Sequence, residues 1–203
     1  NKSLRSLRLK NKINSNNTLK SSEYFYFWTM QFAFIINPYS AKKNYQPFLD
    51  SLRKKVDNPL YLVSKSLQDT EDFIQNNWEN VDVFVAVGGD GTISVVAQKL
   101  INTNKILAVF PAGSGNGFSN ENNFNKNLDV LLAKIRKEKY KEIDTFMVND
   151  HFSINVSGTG FDGKVVKQFE KTSRGFKNYI KVSIKTFFNF MQFDCVLLLS
   201  HIM

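Results

Sequence analysis

From Met30 onward the chain alternates short apolar runs with segments of helical period, and this constrains its fold more than any other feature. "QFAFII" (31–36), "PLYLVS" (59–64), "VDVFVAV" (81–87) and "KILAVFPAG" (105–113) read as strands. Runs that are continuously apolar suit strands covered on both faces. Between them lie amphipathic segments. In "NYQPFLDSLRKKV" (44–56), Phe48, Leu52 and Val56 share one face, and Pro47 fits a first turn. "SLQDTEDFIQNNW" (66–78) offers Ser66 or Asp69 as a cap. "TISVVAQKLIN" (92–102) aligns Ile93, Val96 and Leu100. "NLDVLLAKIRKEKYKEI" (127–143) is acidic early and basic late, as a helix dipole prefers. Strand, helix and short loop in repetition predict a doubly wound α/β layer on a parallel sheet.

The pattern changes after about residue 142. "EIDTFMVN" and "DHFSINVSGTG" predict two strands joined by a tight turn at Asn149-Asp150. "FDGKVVKQFEKT" and "RGFKNYIKVSIKTFFNFM" read as helical, and "DCVLLLS" as a further strand. We therefore expect a nucleotide-binding α/β domain over 30–142 and an incomplete β-rich second domain over 143–203. Residues 1–29 carry six Lys/Arg against Glu23, which is +5 of the chain's net +9. With no apolar period, this head is expected to be disordered or foreign to the domain.

The 203 residues suffice for one sizeable core. A single cysteine, Cys195, excludes an internal disulfide and a thiolate metal cluster. His151 and His201 lie far apart, against a histidine metal site. The apolar run Tyr24–Ile36 is too short to span a bilayer. The basic head lacks the interleaved aromatics of a nucleic-acid surface, so no nucleic-acid partner is expected.

In an open parallel sheet, ligands bind at the carboxyl edge of the strands. Three informative loops fall there: "NPYSAKK" (37–43), "GGDGT" (88–92) and "PAGSGNG" (111–117). Two glycine loops on one edge, each opening a helix, predict a phosphate cradle of backbone amides. Neither is a Walker loop or a G-x-G-x-x-G turn. Asp90, inside the first glycine loop, reads either as a carboxylate organising metal and phosphates or as a turn residue capping the next helix.

"IINP", "VGGDGTI", "FPAGSGNGFS", "INVSGTGFDGKVV" and "SRGFKNYI", in this order, resemble the signatures of the diacylglycerol kinase catalytic-domain family. That family includes bacterial lipid kinases and sphingosine kinases. The resemblance covers about 30–190 and implies two lobes, with ATP and a lipid head group meeting between them. It implies nucleotide contacts at Asn37 and Pro38 of the first loop, and at Ser64, where threonine is common. It implies phosphate contacts at Gly88, Gly89, Asp90, Gly91 and Thr92, and at Gly113, Ser114, Gly115 and Asn116. Asp162 matches an acidic position near the acceptor end of the cleft; as a turn residue it would cap the following helix.

Two departures stand out. Val95 occupies the region where many relatives carry a glutamate. The family's β-sandwich also continues past residue 203, so the chain reads as C-terminally truncated. The resemblance implies an ATP- and Mg²⁺-dependent kinase acting on a diacylglycerol- or sphingosine-like hydroxyl. We expect it to be cytoplasmic, with peripheral membrane contact at most and the aromatic stretch 185–193 buried against the missing part of the β-domain. Oligomeric state is open, a homodimer included. The competing readings are an NAD kinase-like enzyme and a non-catalytic nucleotide or lipid binder. The first should carry an Asn-Glu pair on a later loop to hold ribose.

Overall fold

The computed structural model describes residues 5–7, 31–40, 44–137, 140–158, 160–172 and 176–190. The chain divides into two compact units, Leu4–Asn155 and a second built from Val156 onward.

In the first unit, strands β2 (Phe32–Ile36), β3 (Leu60–Val63), β4 (Val83–Gly88) and β5 (Ile106–Pro111) form a four-stranded sheet in the order β3-β2-β4-β5. All its pairings are parallel, with Ala33 opposite Leu60, Phe32 opposite Val83 and Val83 opposite Ile106. Parallel neighbours need crossovers. These are α1 (Gln46–Lys55), α2 (Leu67–Asn76) and α3 (Asp90–Leu100), with α5 (Leu128–Arg136) following β5 and the short α4 (Gly117–Glu121).

Alternate strand residues feed two cores. Ala33, Ile35, Phe84, Ala86 and Val109 pack on one side with Ile74 of α2 and Ile93, Val96 and Leu100 of α3. Phe34, Ile36, Val85 and Val87 pack on the other with Leu49 and Leu52 of α1 and the apolar face of α5. The central strands are buried on both faces, which explains why they read as unbroken apolar runs. Phe34 and Phe84 have no exposed surface. Burying a side chain of this size contributes about 1.5–3 kcal/mol.

Local signals agree with these elements. Pro47 lies in the first turn of α1. Ser66 caps α2, its hydroxyl accepting from the Asp69 N–H at 3.0 Å. Asn127 caps α5. The expected hairpin forms between β6 (Ile143–Val148) and β7 (His151–Ser153), with Asn149 left-handed at φ 53° in its turn. Asn tolerates that conformation better than most residues. The short strand β1 (Arg5–Leu7) lies within the basic head and pairs antiparallel with β6.

In the second unit, α6 (Phe161–Phe169) packs on α7 (Phe176–Phe188). Val165, Val182 and Thr186 are buried, and the Thr186 hydroxyl donates to Gln168 Oε1 at 3.1 Å. The described part of this unit is helical, and a β-sandwich is not among what it displays. The strand expected at "DCVLLLS" lies outside the described residues. Among the described residues no helix is long and apolar enough to cross a membrane.

Candidate functional site

The chain runs from β2 to the neighbouring edge strand β3, then crosses to β4 on the other side of β2. The strand order therefore reverses between β2 and β4, which is where an open α/β sheet forms its ligand crevice. Three predicted loops meet at this edge and are tied together.

Asn37 follows β2. Its N–H donates to Val87 O at 3.0 Å, and its side-chain Nδ2 donates to Thr92 Oγ1 at 2.9 Å. Its Oδ1 accepts from the Tyr39 N–H at 2.9 Å, which shapes the turn at Pro38. Ser64 ends the neighbouring strand. Its N–H donates to Ile36 O, and its hydroxyl donates to Ser66 O at 2.8 Å while lying 2.7 Å from Thr70 Oγ1. Asp69 secures the same corner. Hydrogen bonds from the Lys65 N–H and from Ser66 hold its carboxyl below the usual carboxylate range.

The GGDGT loop is a compact strand-to-helix turn. Gly89 caps α3, and the N–H groups of Thr92 and Ile93 both donate to Gly89 O. The N–H groups of Asp90 and Gly91 precede these bonds, so the helix itself offers them no acceptor. Gly88 must be glycine, because a Cβ there would lie 2.4 Å from Thr92 Oγ1.

The second glycine loop folds around Asn116. This residue is left-handed (φ 56°) and buried. Its Oδ1 accepts from the Gly113 N–H and its Nδ2 donates to Gly113 O, both at 2.8 Å. The two loops touch backbone to backbone, and a Cβ on Gly113 would lie 2.5 Å from Gly89 Cα.

Asp90 joins the loops. Its Oδ2 accepts from the Gly117 N–H at 3.1 Å and its Oδ1 from the Phe118 N–H at 3.0 Å. It thus caps α4, twenty-seven residues on, while standing first in α3. The helix it begins is capped by Gly89, which corrects the alternative that Asp90 caps its own helix. With its amide oriented to satisfy both ends, Asn155 accepts from the Phe118 N–H at 3.3 Å and donates to Glu121 Oε2 at 3.0 Å. Among the described residues no three His, Cys, Asp or Glu side chains gather to hold a metal ion. Each oxygen of the one acid inside the loops already accepts from a backbone amide.

Beside the loops lies a cavity of about 310 Å³, lined by Asn37, Ser64, Lys65, Gly91, Thr92 and Val95 among others. Tyr39 and Leu67, each 64% exposed, also border it. The volume lies in the range of small-molecule sites. Val95 forms part of its wall, so the position noted as a departure belongs to the cavity. Tyr39, Lys65 and Thr70 were not singled out by motif. Their positions just past β2 and β3, and one turn into α2, were the available signal.

Ser114 and Gly115 lie exposed in the second loop, Gly115 beside Asp90 Oδ2. Not every predicted residue joins this set. Asp162 lies in the second unit, exposed in the first turn of α6. Gly160 (φ 74°) caps that helix, so the expectation of Asp162 as its N-cap is corrected.

The family model "Diacylglycerol kinase catalytic domain" matches residues 31–148. An uncharacterised Synechocystis protein is 26% identical over 175 residues, 78% of this chain and 39% of that protein. A Staphylococcus carnosus protein named "Putative lipid kinase" is 26% identical over 125 residues, 59% of this chain and 41% of its own length. The chain thus spans about two fifths of the curated relatives it matches. A solved structure titled "A putative diacylglycerol kinase from Bacillus anthracis str. Sterne" shares the fold. Its TM-score is 0.51 at 24% identity, covering 60% of this chain and 46% of that one. With the family model spanning more than half of its residues, the chain belongs to the diacylglycerol kinase catalytic-domain family.

Proposed function

We propose that this chain is the nucleotide-binding part of an ATP-dependent lipid kinase. The enzyme transfers the γ-phosphoryl group to the hydroxyl of a diacylglycerol- or sphingosine-like lipid. The observation that carries the reading is the pair of interlocked glycine loops at the sheet's switch point, beside a cavity of about 310 Å³.

In this reading the base and ribose occupy the cavity between β2 and α2, near Tyr39, Ser64 and Val95. The phosphates lie along the amides of Asp90 and Gly91 and of Ser114–Asn116, where helix N-terminal N–H groups suit anions. Asn37 and Pro38 shape the wall between cavity and loops. The lipid hydroxyl oxygen attacks the γ-phosphorus and its proton passes to solvent, the bond to the β–γ bridging oxygen breaks, and ADP leaves. Such transfer depends on positioning and charge neutralisation more than on covalent chemistry. Magnesium is carried in on the nucleotide phosphates, which bind it readily, rather than in a carboxylate cage of the chain. The enzyme works at the membrane surface, where its substrate resides.

The test is transfer of label from γ-labelled ATP to extracted lipids by the full-length protein, with products identified by mass. A phosphorylated lipid is the expected product. Labelled NADP with unlabelled lipid, or nucleotide binding without transfer, would overturn the reading.

A further inference from the structure

We infer that Asp90 is a positioning residue that latches the second glycine loop onto the first, rather than a ligand to the metal. The inference deepens the kinase reading and rests on it for its kinetic arm alone.

At five residues α4 is far too short to hold itself together, since isolated helices need about 12–15 residues to be even marginal in water. Its N-cap residue gives it no side-chain cap, because the Asn116 amide is turned back onto Gly113. Its leading amides go instead to Asp90, one to each oxygen. Hydrogen bonds to an ionised acceptor are roughly twice as strong as neutral ones. The bonds span the place where Gly89 and Gly113 touch, so one carboxylate sets the spacing of both loops. Gly115 and Gly117 border the same oxygen: a Cβ on either would sit in ordinary contact with Asp90 Oδ2, at 3.6 and 3.9 Å.

This accounts for an acid in a loop built to receive an anion. Its charge is taken up by two amides of the neighbouring loop. An asparagine of the same shape keeps one acceptor and turns an N–H donor toward the other amide.

The experiment compares Asp90→Asn and Gly113→Ala with wild type in the full-length protein. Three quantities are read: hydrogen exchange at the Gly117 and Phe118 amides, KM for ATP, and the magnesium midpoint at saturating ATP. A latch predicts that in Asp90→Asn exchange at those amides and KM for ATP each rise about tenfold or more, while the magnesium midpoint stays put. Gly113→Ala leaves the carboxylate intact but forces the loops apart, and it should move the same two readings. Unchanged exchange at Gly117 and Phe118 in folded Asp90→Asn overturns the latch. So does a magnesium midpoint that moves in Asp90→Asn and not in Gly113→Ala, the mark of a metal ligand. Should Asp90→Asn fail to fold, Gly113→Ala decides alone, and its failure to move exchange overturns the latch. The exchange reading needs no turnover. A protein that responds in exchange yet phosphorylates no lipid refutes the kinase reading and leaves the latch standing.

Discussion

The two glycine loops sit side by side yet are held in different ways. The loop after β4 opens an eleven-residue helix whose Ile93, Val96, Ala97 and Leu100 are buried in the core. Its geometry is set by packing, and its polar groups are left over for other uses. The loop after β5 opens a five-residue helix with only Phe118 and Ser119 buried. Its geometry is set by hydrogen bonds, from Asn116 within and from Asp90 without. A loop anchored by a helix face tolerates loss of a polar contact. A loop anchored by polar contacts does not.

The contrast breaks most visibly at Asp90. Asp90→Ala removes both acceptors, and kcat/KM for ATP is expected to fall about a hundredfold or more, the scale of a small misplacement of reacting groups. Steady-state kinetics on the full-length enzyme measures this, and Asp90→Asn should fall between Ala and wild type. Gly113→Ala comes next. Its Cβ would meet Gly89 Cα at 2.5 Å and Asn116 Oδ1 at 2.8 Å. Overpacking of this kind costs about 1–3 kcal/mol, readable as a lower denaturant midpoint.

Asn116→Ala removes two hydrogen bonds and places a Cβ residue without a compensating amide at φ 56°. Each bond is worth about 0.5–1.5 kcal/mol, so its loss should approach that of Gly113→Ala. Asn116→Gly should recover the conformational part alone. Gly91→Ala tests the packed loop. A Cβ there meets nothing within 4 Å. Because alanine favours a helix over glycine by about 0.5–1 kcal/mol, the change should stabilise the fold slightly. If Gly91→Ala and Gly113→Ala cost the same, the contrast between the loops fails.

The smallest effect is at Asp69. The Lys65 N–H, first, and Ser66 hold its carboxyl below the usual range. A group depressed in the folded state contributes stability present above its unfolded pKa and lost as pH falls through its folded one. NMR titration should therefore show Asp69 titrating below an ordinary aspartate. Ordering of the Ser64–Leu67 corner should weaken only in that acidic range.

Much of this architecture was legible in the residues. The central strands read as unbroken apolar runs because sheet residues on both faces enter a core. The Ser66 cap, Pro47 in a first turn and the Asn149-Asp150 turn are local signals, and local signals survive in sequence. The three site loops were legible as well, since each follows an apolar strand. The partner of Asp90 was not, because Gly117 lies twenty-seven residues away and no periodicity connects them. Nor was α4, whose few residues carry too little pattern to mark a helix. Asn155 was equally invisible, a polar residue past β7 whose use depends on where Glu121 and Phe118 come to lie.

By itself, then, the order of residues determined the α/β alternation, the glycine loops and the family to which they belong. These are properties of short stretches, in which burial on one face or two imposes a period and a left-handed or crowded turn demands glycine or asparagine. Only the tertiary structure decided that the strand order reverses between β2 and β4, that Gly89 touches Gly113, and that the Asp90 carboxylate serves the neighbouring loop. Those facts depend on which strands become neighbours. That choice is made by the summed burial of two cores, and no single segment encodes it.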